Sequence, residues 1–256
     1  MKKIFIIIFI LLIIFTIKLI YFNGEKVYTL KEYSPTGKLL GINEYVIREK
    51  DTVLHGKFIN YNSKGNKIAE GNFVNGEING KSIYYFDNRN IESVHYRKNS
   101  DITEESIYNY SNGNVKKYLM YDDLGMPDFL IRYDESGNLK SYEGFPLVEI
   151  YQYKISHKEQ FKTKINQYLK VDDTLKYQYL IANIPNTKRS LKVENLSINN
   201  TKVKRTLKKT SQVGLEVKEI LTKKGINKIR AIVKYEFNDK KKTVINDTVS
   251  FKIQVN

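Results

Sequence analysis

Few residues of this 256-residue chain have the types and spacing that catalysis or metal binding needs. The three histidines, His55, His95 and His157, are far apart in sequence and have no partner at ligand spacing, which favours solvated or strand-surface positions. Asp122-Asp123 and Asp172-Asp173 could contribute to a Ca²⁺ site, but acidic pairs of this kind are typical of turns. The chain has no cysteine, no G-x-S-x-G elbow and no glycine-rich phosphate loop. We therefore predict a protein that is not an enzyme and has no metal or cofactor.

The positive charge of the chain is concentrated in its last hundred or so residues. The net charge is −3 over residues 23–150 and +15 over residues 151–256. This asymmetry indicates either contact with an anionic partner or lysines that protect edge strands from aggregation. Lys202 and Lys204 are expected on one strand face, with the turn lysines at one end of the domain. The candidate contact residues are Lys202, Lys204, Arg205, Lys208, Lys209, Lys223, Lys224, Lys240, Lys241 and Lys242.

Glycine and asparagine recur at one fixed spacing through the first half of the chain, as in Gly113-Asn114 and Gly137-Asn138. Such residues tolerate positive φ and permit the tight turns of hairpins, and the segments between them are rich in aromatic and β-branched residues. One hairpin cannot bury its apolar face alone, so the repeats predict several hairpins joined in an elongated antiparallel sheet. Arg89-Asn90 stands in the same register as the Gly-Asn pairs. The glycines assigned to repeat turns are Gly37, Gly65, Gly80, Gly113 and Gly137.

Tyrosines share the phase of the repeat. Tyr61, Tyr85 and Tyr133 are in register, and Asn109 takes the position between the last two. These tyrosines could form an exposed ladder that stacks on sugar rings, or cross-strand pairs that hold the sheet together. The second role is the commoner one for tyrosine in sheets.

The stretch EGNFVNGEINGKSIYYF resembles the MORN-like repeats of the YwqK family, bacterial proteins often labelled as antitoxin components. The resemblance covers a region of roughly 110 residues, and Tyr133–Leu139 is a second good copy. It implies a β-hairpin repeat fold, and the family label implies toxin neutralisation. The family pattern is met by Gly71, Phe73, Asn75-Gly76, Gly80-Lys81 and Tyr85.

A second unit is predicted after Gly144-Phe145-Pro146, which breaks the repeat phase. Residues 156–171 fit either a helix with a capping box or an alternating strand, and we favour the strand because a turn and a β-prone run follow. Gly214–Leu221 and Val244–Val255 are among the further strands. A glycine before A-x-V-x-Y, a charged turn and a last strand resemble the end of a bacterial immunoglobulin-like (Ig-like) sandwich, which implies that fold.

The N-terminal segment, residues 1–22, begins with Met1 and two lysines and is otherwise almost entirely apolar. Its length is close to the ~20 residues that span a bilayer, and Phe22 is too bulky for a signal-peptidase site. We predict an uncleaved anchor in the inner membrane, with a single pass and the body outside the cytoplasm. The alternative is a secreted protein after cleavage. Export excludes nucleic acid as a partner and favours an anionic lipid or envelope polymer.

The sequence therefore predicts an all-β protein with an N-terminal transmembrane helix. The expected divisions are the anchor at 1–22, MORN-like hairpin repeats at 25–145, a linker at 146–160 and an Ig-like β-sandwich at 161–256. The expected function is a membrane-anchored extracytoplasmic scaffold that binds an envelope protein. Two alternatives are binding of an anionic glycan or lipid through the basic C-terminal domain, and toxin neutralisation.

Overall fold

The computed structural model describes residues 25–154 and 169–256. The regular secondary structure of both parts is almost entirely antiparallel strand, so the predicted all-β class is confirmed. The predicted N-terminal anchor and most of the 156–171 segment lie outside the described residues. Within the described ranges, no helix is long and apolar enough to cross a membrane.

The first part is one eleven-stranded sheet in which most strands pair with their neighbours in sequence. The prediction of hairpins joined into one antiparallel sheet is confirmed. The second strand of each hairpin pairs with the first strand of the next, so that adjacent hairpins satisfy each other's backbone groups. The strands are β1 (Tyr28–Tyr33), β2 (Leu39–Arg48), β3 (Asp51–Tyr61), β4 (Lys67–Val74), β5 (Glu77–Ile78), β6 (Gly80–Tyr85), β7 (Ile91–Arg97), β8 (Thr103–Asn109), β9 (Val115–Tyr121), β10 (Pro127–Tyr133) and β11 (Leu139–Gly144).

Five turns at one end of these strands have the same hydrogen bond. In each, a backbone N–H donates to the carbonyl oxygen three residues earlier, at 2.9–3.0 Å. The donor residue has a φ between 70° and 91°, where glycine is favoured because it has no Cβ. Arg89 is the one donor residue of the five that is not a glycine. The donors are Gly37, Gly65, Arg89, Gly113 and Gly137.

Gly80 does not belong to this set of turns, which corrects its assignment. It begins β6 opposite Arg97, at the other end of the strands. The Asn75-Gly76 turn already closes the short β4–β5 hairpin. The φ of +71° at Gly80 then brings the chain back beside β4.

The second part has seven strands in two sheets that pack face to face. The rings of Tyr177 and Phe251, one from each sheet, are 5.3 Å apart. The strands are β12 (Leu147–Lys154), β13 (Thr174–Ile181), β14 (Thr187–Asn195), β15 (Arg205–Lys209), β16 (Gly214–Ile220), β17 (Gly225–Phe237) and β18 (Val244–Val255). One sheet has the order β12-β13-β16-β15 and the other β14-β17-β18.

The segment predicted as a linker is in part a strand of the sandwich. β12 begins directly after Pro146, and it pairs with β13. Leu147 is fully buried, which explains why this stretch joins the sheet and does not remain a free connection. Since β11 ends at Gly144, only Phe145 and Pro146 separate the repeat sheet from the sandwich.

One hydrophobic core runs from the sandwich into the last strands of the repeat sheet. Tyr118, Phe129 and Ile131 of the sheet are at most 1% exposed and belong to the same cluster as Leu147 and the sandwich interior. No residue of β1–β7 belongs to this cluster. The sandwich therefore packs on the β8–β11 half of the sheet.

Candidate functional site

A buried carboxylate lies where the repeat sheet meets the sandwich. Glu105 of β8 is 1% exposed. Its Oε2 accepts hydrogen bonds from the Tyr118 hydroxyl and from Asn183 Nδ2, both at 3.0 Å, and its Oε1 accepts one from Gln212 Nε2 at 2.7 Å. Asn183 and Gln212 come from the loops after β13 and β15. Two loops of the sandwich therefore donate to one carboxylate of the sheet.

The phenol of Tyr118 links the same groups a second time. Its oxygen accepts the backbone N–H of Asn183 at 2.8 Å while its O–H donates to Glu105. Burial raises the pKa of Tyr118, and the neighbouring Glu105 raises it further. The phenol therefore keeps its proton and remains a donor at neutral pH. We call the set of Glu105, Tyr118, Asn183 and Gln212 the junction.

Further polar contacts surround the junction. The backbone N–H of Gln212 donates to Glu104 Oε2 at 3.1 Å, and the Tyr133 hydroxyl donates to the carbonyl oxygen of Pro185 at 3.4 Å. Arg189 Nη1 donates to Asn183 Oδ1 at 2.8 Å, which orients that amide toward Glu105. These directional bonds fix the orientation of the sandwich on the sheet, which apolar packing alone does not do.

Two clefts lie where the repeat sheet meets the sandwich, and each is lined by both polar and apolar side chains. The larger has a volume of about 850 Å³ and lies between the β10–β11 turn and the ends of β14 and β17. Its two acids are already engaged: Glu236 with Lys234 at 2.5 Å, and Asp239 with Thr243 at 2.6 Å. The smaller cleft, of about 320 Å³, is lined by residues of β9 and of the loop after β15. Neither lining contains a histidine or a cysteine.

The acidic pairs suggested by the sequence lie in turns. Asp122 Oδ1 accepts the backbone N–H groups of Leu124 and Met126 at 2.9 and 2.8 Å. Asp173 Oδ2 accepts the backbone N–H of Lys170 at 2.7 Å. In residues 25–154 and 169–256, no three His, Cys, Asp or Glu side chains are grouped so that they could hold a metal ion.

His95 is packed within the sheet. Its Nδ1 is 2.8 Å from Ser106 Oγ, and its Nε2 is 3.1 Å from Ser93 Oγ. The rings of Tyr84 and Tyr108 approach it edge-on at 5.5 and 5.4 Å. Burial lowers the pKa of His95, and the charge of nearby Arg97 adds to this. Ser106 is 1% exposed, so the serine–histidine pair is closed to a substrate and instead fastens β7 to β8.

His55 makes a structural contact. His55 Nδ1 accepts the backbone N–H of Asn75 at 3.4 Å, a contact between two neighbouring hairpins. His157 lies outside the described residues.

The repeat tyrosines do not form a uniformly exposed ladder. Tyr61 is half-buried, whereas Tyr133 is 3% exposed beneath the sandwich. Tyr85 donates its hydroxyl proton to Glu70, and the ammonium of Lys67 lies 4.4 Å from the centre of its ring. Contacts between neighbouring strands thus account for Tyr85, and the shared core accounts for Tyr133.

The predicted basic residues are divided between the two ends of the sandwich. The docking end faces the repeat sheet and comprises residues 182–186, 207–213 and 238–244. The far end lies at the opposite ends of the same strands and comprises residues 170–173, 196–204, 221–228 and 252–256. The docking end has Lys208, Lys209, Lys240, Lys241 and Lys242, and the far end has Lys202, Lys204, Lys223 and Lys224.

Lys202 and Lys204 do not share a strand face, which corrects that expectation. Lys202 ends a short 3-10 helix, Asn200–Lys202, whose first turn is capped by the side chain of Asn199. β15 begins only at Arg205. Asparagine favours such caps and so competes with the extended conformation.

Arg205 faces the interior of the sandwich, which removes it from the candidate contact residues. Its guanidinium donates to Glu219 Oε2 at 2.9 and 2.6 Å and to the carbonyl oxygen of Val193 at 2.5 Å. The Arg205 and Glu219 side chains are 10% and 0% exposed. Glu219 also accepts hydrogen bonds from the Tyr177 hydroxyl at 3.0 Å and from Asn195 Nδ2 at 3.1 Å.

Comparison of the chain with protein-family models and with curated proteins gives no match. The functional residues must therefore be argued from the geometry, and the junction is the part that sequence reasoning missed. One feature of the sequence could have indicated it. Glu105 and Ile107 lie on the same face of β8, so a carboxylate occupies a position where the alternation predicts an apolar residue. Asn183 and Gln212 had no such signal, since each is one polar residue among many beside a turn.

Proposed function

We propose that this protein is a non-enzymatic, membrane-anchored scaffold of the bacterial envelope whose repeat sheet binds a protein partner. The observation that carries the proposal is the junction at Glu105 together with the shared core beneath it. The short connection through Phe145 and Pro146, closed by directional hydrogen bonds, holds a sheet at a fixed orientation. That is what a spacer or platform requires, and a flexible linker would not supply it.

The β1–β7 half of the sheet is the surface we assign to the partner. It takes no part in the core shared with the sandwich. Tyr33 and Leu40 are 58% and 36% exposed there, on neighbouring strands at the end of the sheet that has the repeat turns. Exposed aromatic and aliphatic side chains on a rigid sheet are suited to protein contacts, since interfaces are enriched in aromatic residues.

We further infer that the sheet is of the MORN-like type and the sandwich of the Ig-like type. The regular recurrence of one turn geometry at Gly65, Arg89, Gly113 and Gly137 supports the first inference. The strand order supports the second. If β12 to β18 are named A to G, the two sheets are A-B-E-D and C-F-G, the order of constant-type immunoglobulin domains.

The apolar segment at positions 1–22 supports an anchor in the inner membrane, with a secreted form as the alternative. A reporter fused after Asn256 tests this directly. An extracytoplasmic reporter that remains with the membrane fraction agrees with the anchor. A cytoplasmic reporter would overturn the exported scaffold and favour toxin neutralisation instead.

Recovery of the full chain from intact envelopes tests the scaffold role. We expect a protein partner to be captured by the parent and at least about tenfold less by Tyr33→Ser/Leu40→Ser, because interface anchors of this size contribute about 1–2 kcal/mol. Leu124→Ser is the matched control, since Leu124 is 68% exposed but lies in the β9–β10 turn. Equal loss with Leu124→Ser, or capture of anionic polymer alone that disappears at high salt, contradicts the scaffold role.

A further inference from the structure

The far end of the sandwich has a strong excess of positive charge. Its ranges contain seven lysines and two aspartates. Asp173 already accepts the backbone N–H of Lys170 at 2.7 Å. The lysines are Lys170, Lys202, Lys204, Lys223, Lys224, Lys228 and Lys252.

Two of these lysines are placed against each other. Lys228 of β17 and Lys252 of β18 are directly opposite in the ladder, and both alternate with buried residues, so both point outward. Like charges at directly opposite positions are destabilising. In the described part of the chain, neither has an ion-pair partner, whereas Arg230 on the same face is paired with Glu194. An anion bound at this position would relieve the repulsion.

The same end exposes two aliphatic side chains among the lysines. Ile226 is 62% exposed and lies two residues before Lys228 on the same face of β17. Leu196 is 44% exposed, and its backbone N–H donates to the carbonyl oxygen of Lys228 at 2.8 Å. Lys223 Nζ is held next to Leu196 by a 2.9 Å bond to the carbonyl oxygen of Ser197. A soluble polyanion would use the charges only, but a bilayer surface would also take up Ile226 and Leu196.

We propose that the far end docks on a bilayer surface that contains anionic phospholipid. The lysine ammonium groups contact headgroup phosphates, and Ile226 and Leu196 enter the boundary between headgroups and acyl chains. The docking end offers a similar combination, Val244 beside Lys240 and Lys241, but the repeat sheet occupies that end, and two acids of the sandwich itself, Glu236 and Asp239, line the cleft between them. This proposal does not depend on a protein partner of the repeat sheet.

A single fluorophore tests the position of docking, because the chain has no cysteine of its own. Full-length protein is held in neutral phosphatidylcholine nanodiscs with an environment-sensitive label at Ile226→Cys. Vesicles of phosphatidylcholine mixed with anionic phosphatidylglycerol should shift the emission to the blue, as expected for entry into an apolar layer. Pure phosphatidylcholine vesicles should not. The matched control is Val244→Cys, which is 46% exposed on the same sheet at the docking end and should show no shift.

Paired charge deletions test the contribution of the lysines. Lys228→Ser/Lys252→Ser should raise the lipid concentration for half-maximal binding about tenfold or more at low salt. Lys240→Ser/Lys241→Ser removes the same charge from the docking end and should change it less than about twofold. Thermal unfolding of both variants reports whether they fold. The Ile226→Cys measurement is independent of either variant.

Three results would overturn the proposal. The first is an equal shift at positions 226 and 244, and the second is equal weakening by the two double variants, which would indicate net charge alone. The third is binding without a blue shift that soluble polyphosphate removes completely, which would indicate a polyanion and not a bilayer. None of these would affect capture of a protein by Tyr33 and Leu40, so failure here is distinguishable from failure of the scaffold role.

Discussion

The repeat sheet and the sandwich each bury a glutamate, and they satisfy its carboxylate in different ways. In the sandwich, Glu219 is paired with Arg205 of the neighbouring strand. In the sheet, Glu105 accepts only neutral donors, and two of them come from sandwich loops. The sandwich is therefore self-contained in its buried charge, whereas the sheet depends on the sandwich. A change to the buried ion pair should therefore act within the sandwich, whereas a change to Glu105 should act on the contact between the sheet and the sandwich.

The largest expected effect is at Glu219. Glu219→Gln leaves the guanidinium of Arg205 buried without its counter-charge, and such changes cost about 3–5 kcal/mol. Urea unfolding of the full chain measures this. Arg205→Met/Glu219→Leu removes both charges and should recover most of the lost free energy of unfolding. A loss below about 1 kcal/mol for Glu219→Gln would mean that the ion pair is not what closes the sandwich.

Glu105→Gln should cost less and act elsewhere. The amide NH2 of the glutamine would then replace one acceptor oxygen and face a donor of the junction. An unsatisfied buried group of this kind costs about 1–3 kcal/mol. Hydrogen exchange should rise in residues 182–186 and 210–213 while β17 stays protected. Glu143→Gln is the control, since that carboxylate forms a solvent-exposed pair with Arg132 in the same sheet. Equal exchange in the two variants would contradict a dependence of the sheet on Glu105.

A pH-dependent effect is expected where β10 meets the sandwich. Asp128 and Asp247 of β18 each have a buried carboxylate oxygen without a hydrogen-bond partner in the described part of the chain. Burial raises the pKa of Asp128, and Asp122 and Asp247 add to this. A carboxyl group whose pKa is raised by folding makes stability fall as pH rises from its unfolded pKa through its folded pKa.

Asp128→Asn should therefore stabilise the protein at pH 7, and the gain should vanish as the pH falls toward the ordinary range of aspartate, about pH 4. Urea midpoints across this pH range measure it. Asp122→Ala is the control and should destabilise at pH 7, because it removes the side-chain oxygen that accepts two backbone N–H groups. A constant gain at all pH values for Asp128→Asn would exclude titration as its cause.

The smallest effect is confined to the repeat sheet. Arg89→Gly should raise the free energy of unfolding by about 0.5–1 kcal/mol, because Arg89 has a φ of +70° where the equivalent turns have glycine. Gly113→Ala, at the equivalent position with a φ of +91°, should lower it by a similar amount. Thermal unfolding compares the two. The same sign for both variants would show that the turn conformation does not limit the stability of the sheet.

The local features of this fold could be predicted from the sequence, and the contacts between its parts could not. Glycine spacing located the repeat turns because a positive φ is a property of one residue and its neighbours. The position of Arg205, by contrast, depends on Glu219 fourteen residues away, and the junction joins residues about 80 to 110 positions apart.

Two other predictions were wrong for the same reason, because they concern contacts between distant parts of the chain. β12 was expected as a linker because its place in the sheet depends on β13, beyond a long connection. The basic residues appeared to form one cluster because strand directions, which separate Lys209 from Lys223, are set by pairing and not by composition.

The turns that recur along one side of the sheet also make its width proportional to the number of repeat units. Neighbouring strands lie about 4.8 Å apart, so each repeat unit of two strands widens the sheet by roughly 9.5 Å. A duplicated or deleted unit between β3 and β7 would change that width without altering any residue of the junction or of the shared core. Duplication or deletion of one gene segment would therefore change the distance between β1 and the sandwich in fixed steps. That distance could be adjusted in this way to the spacing between two binding partners.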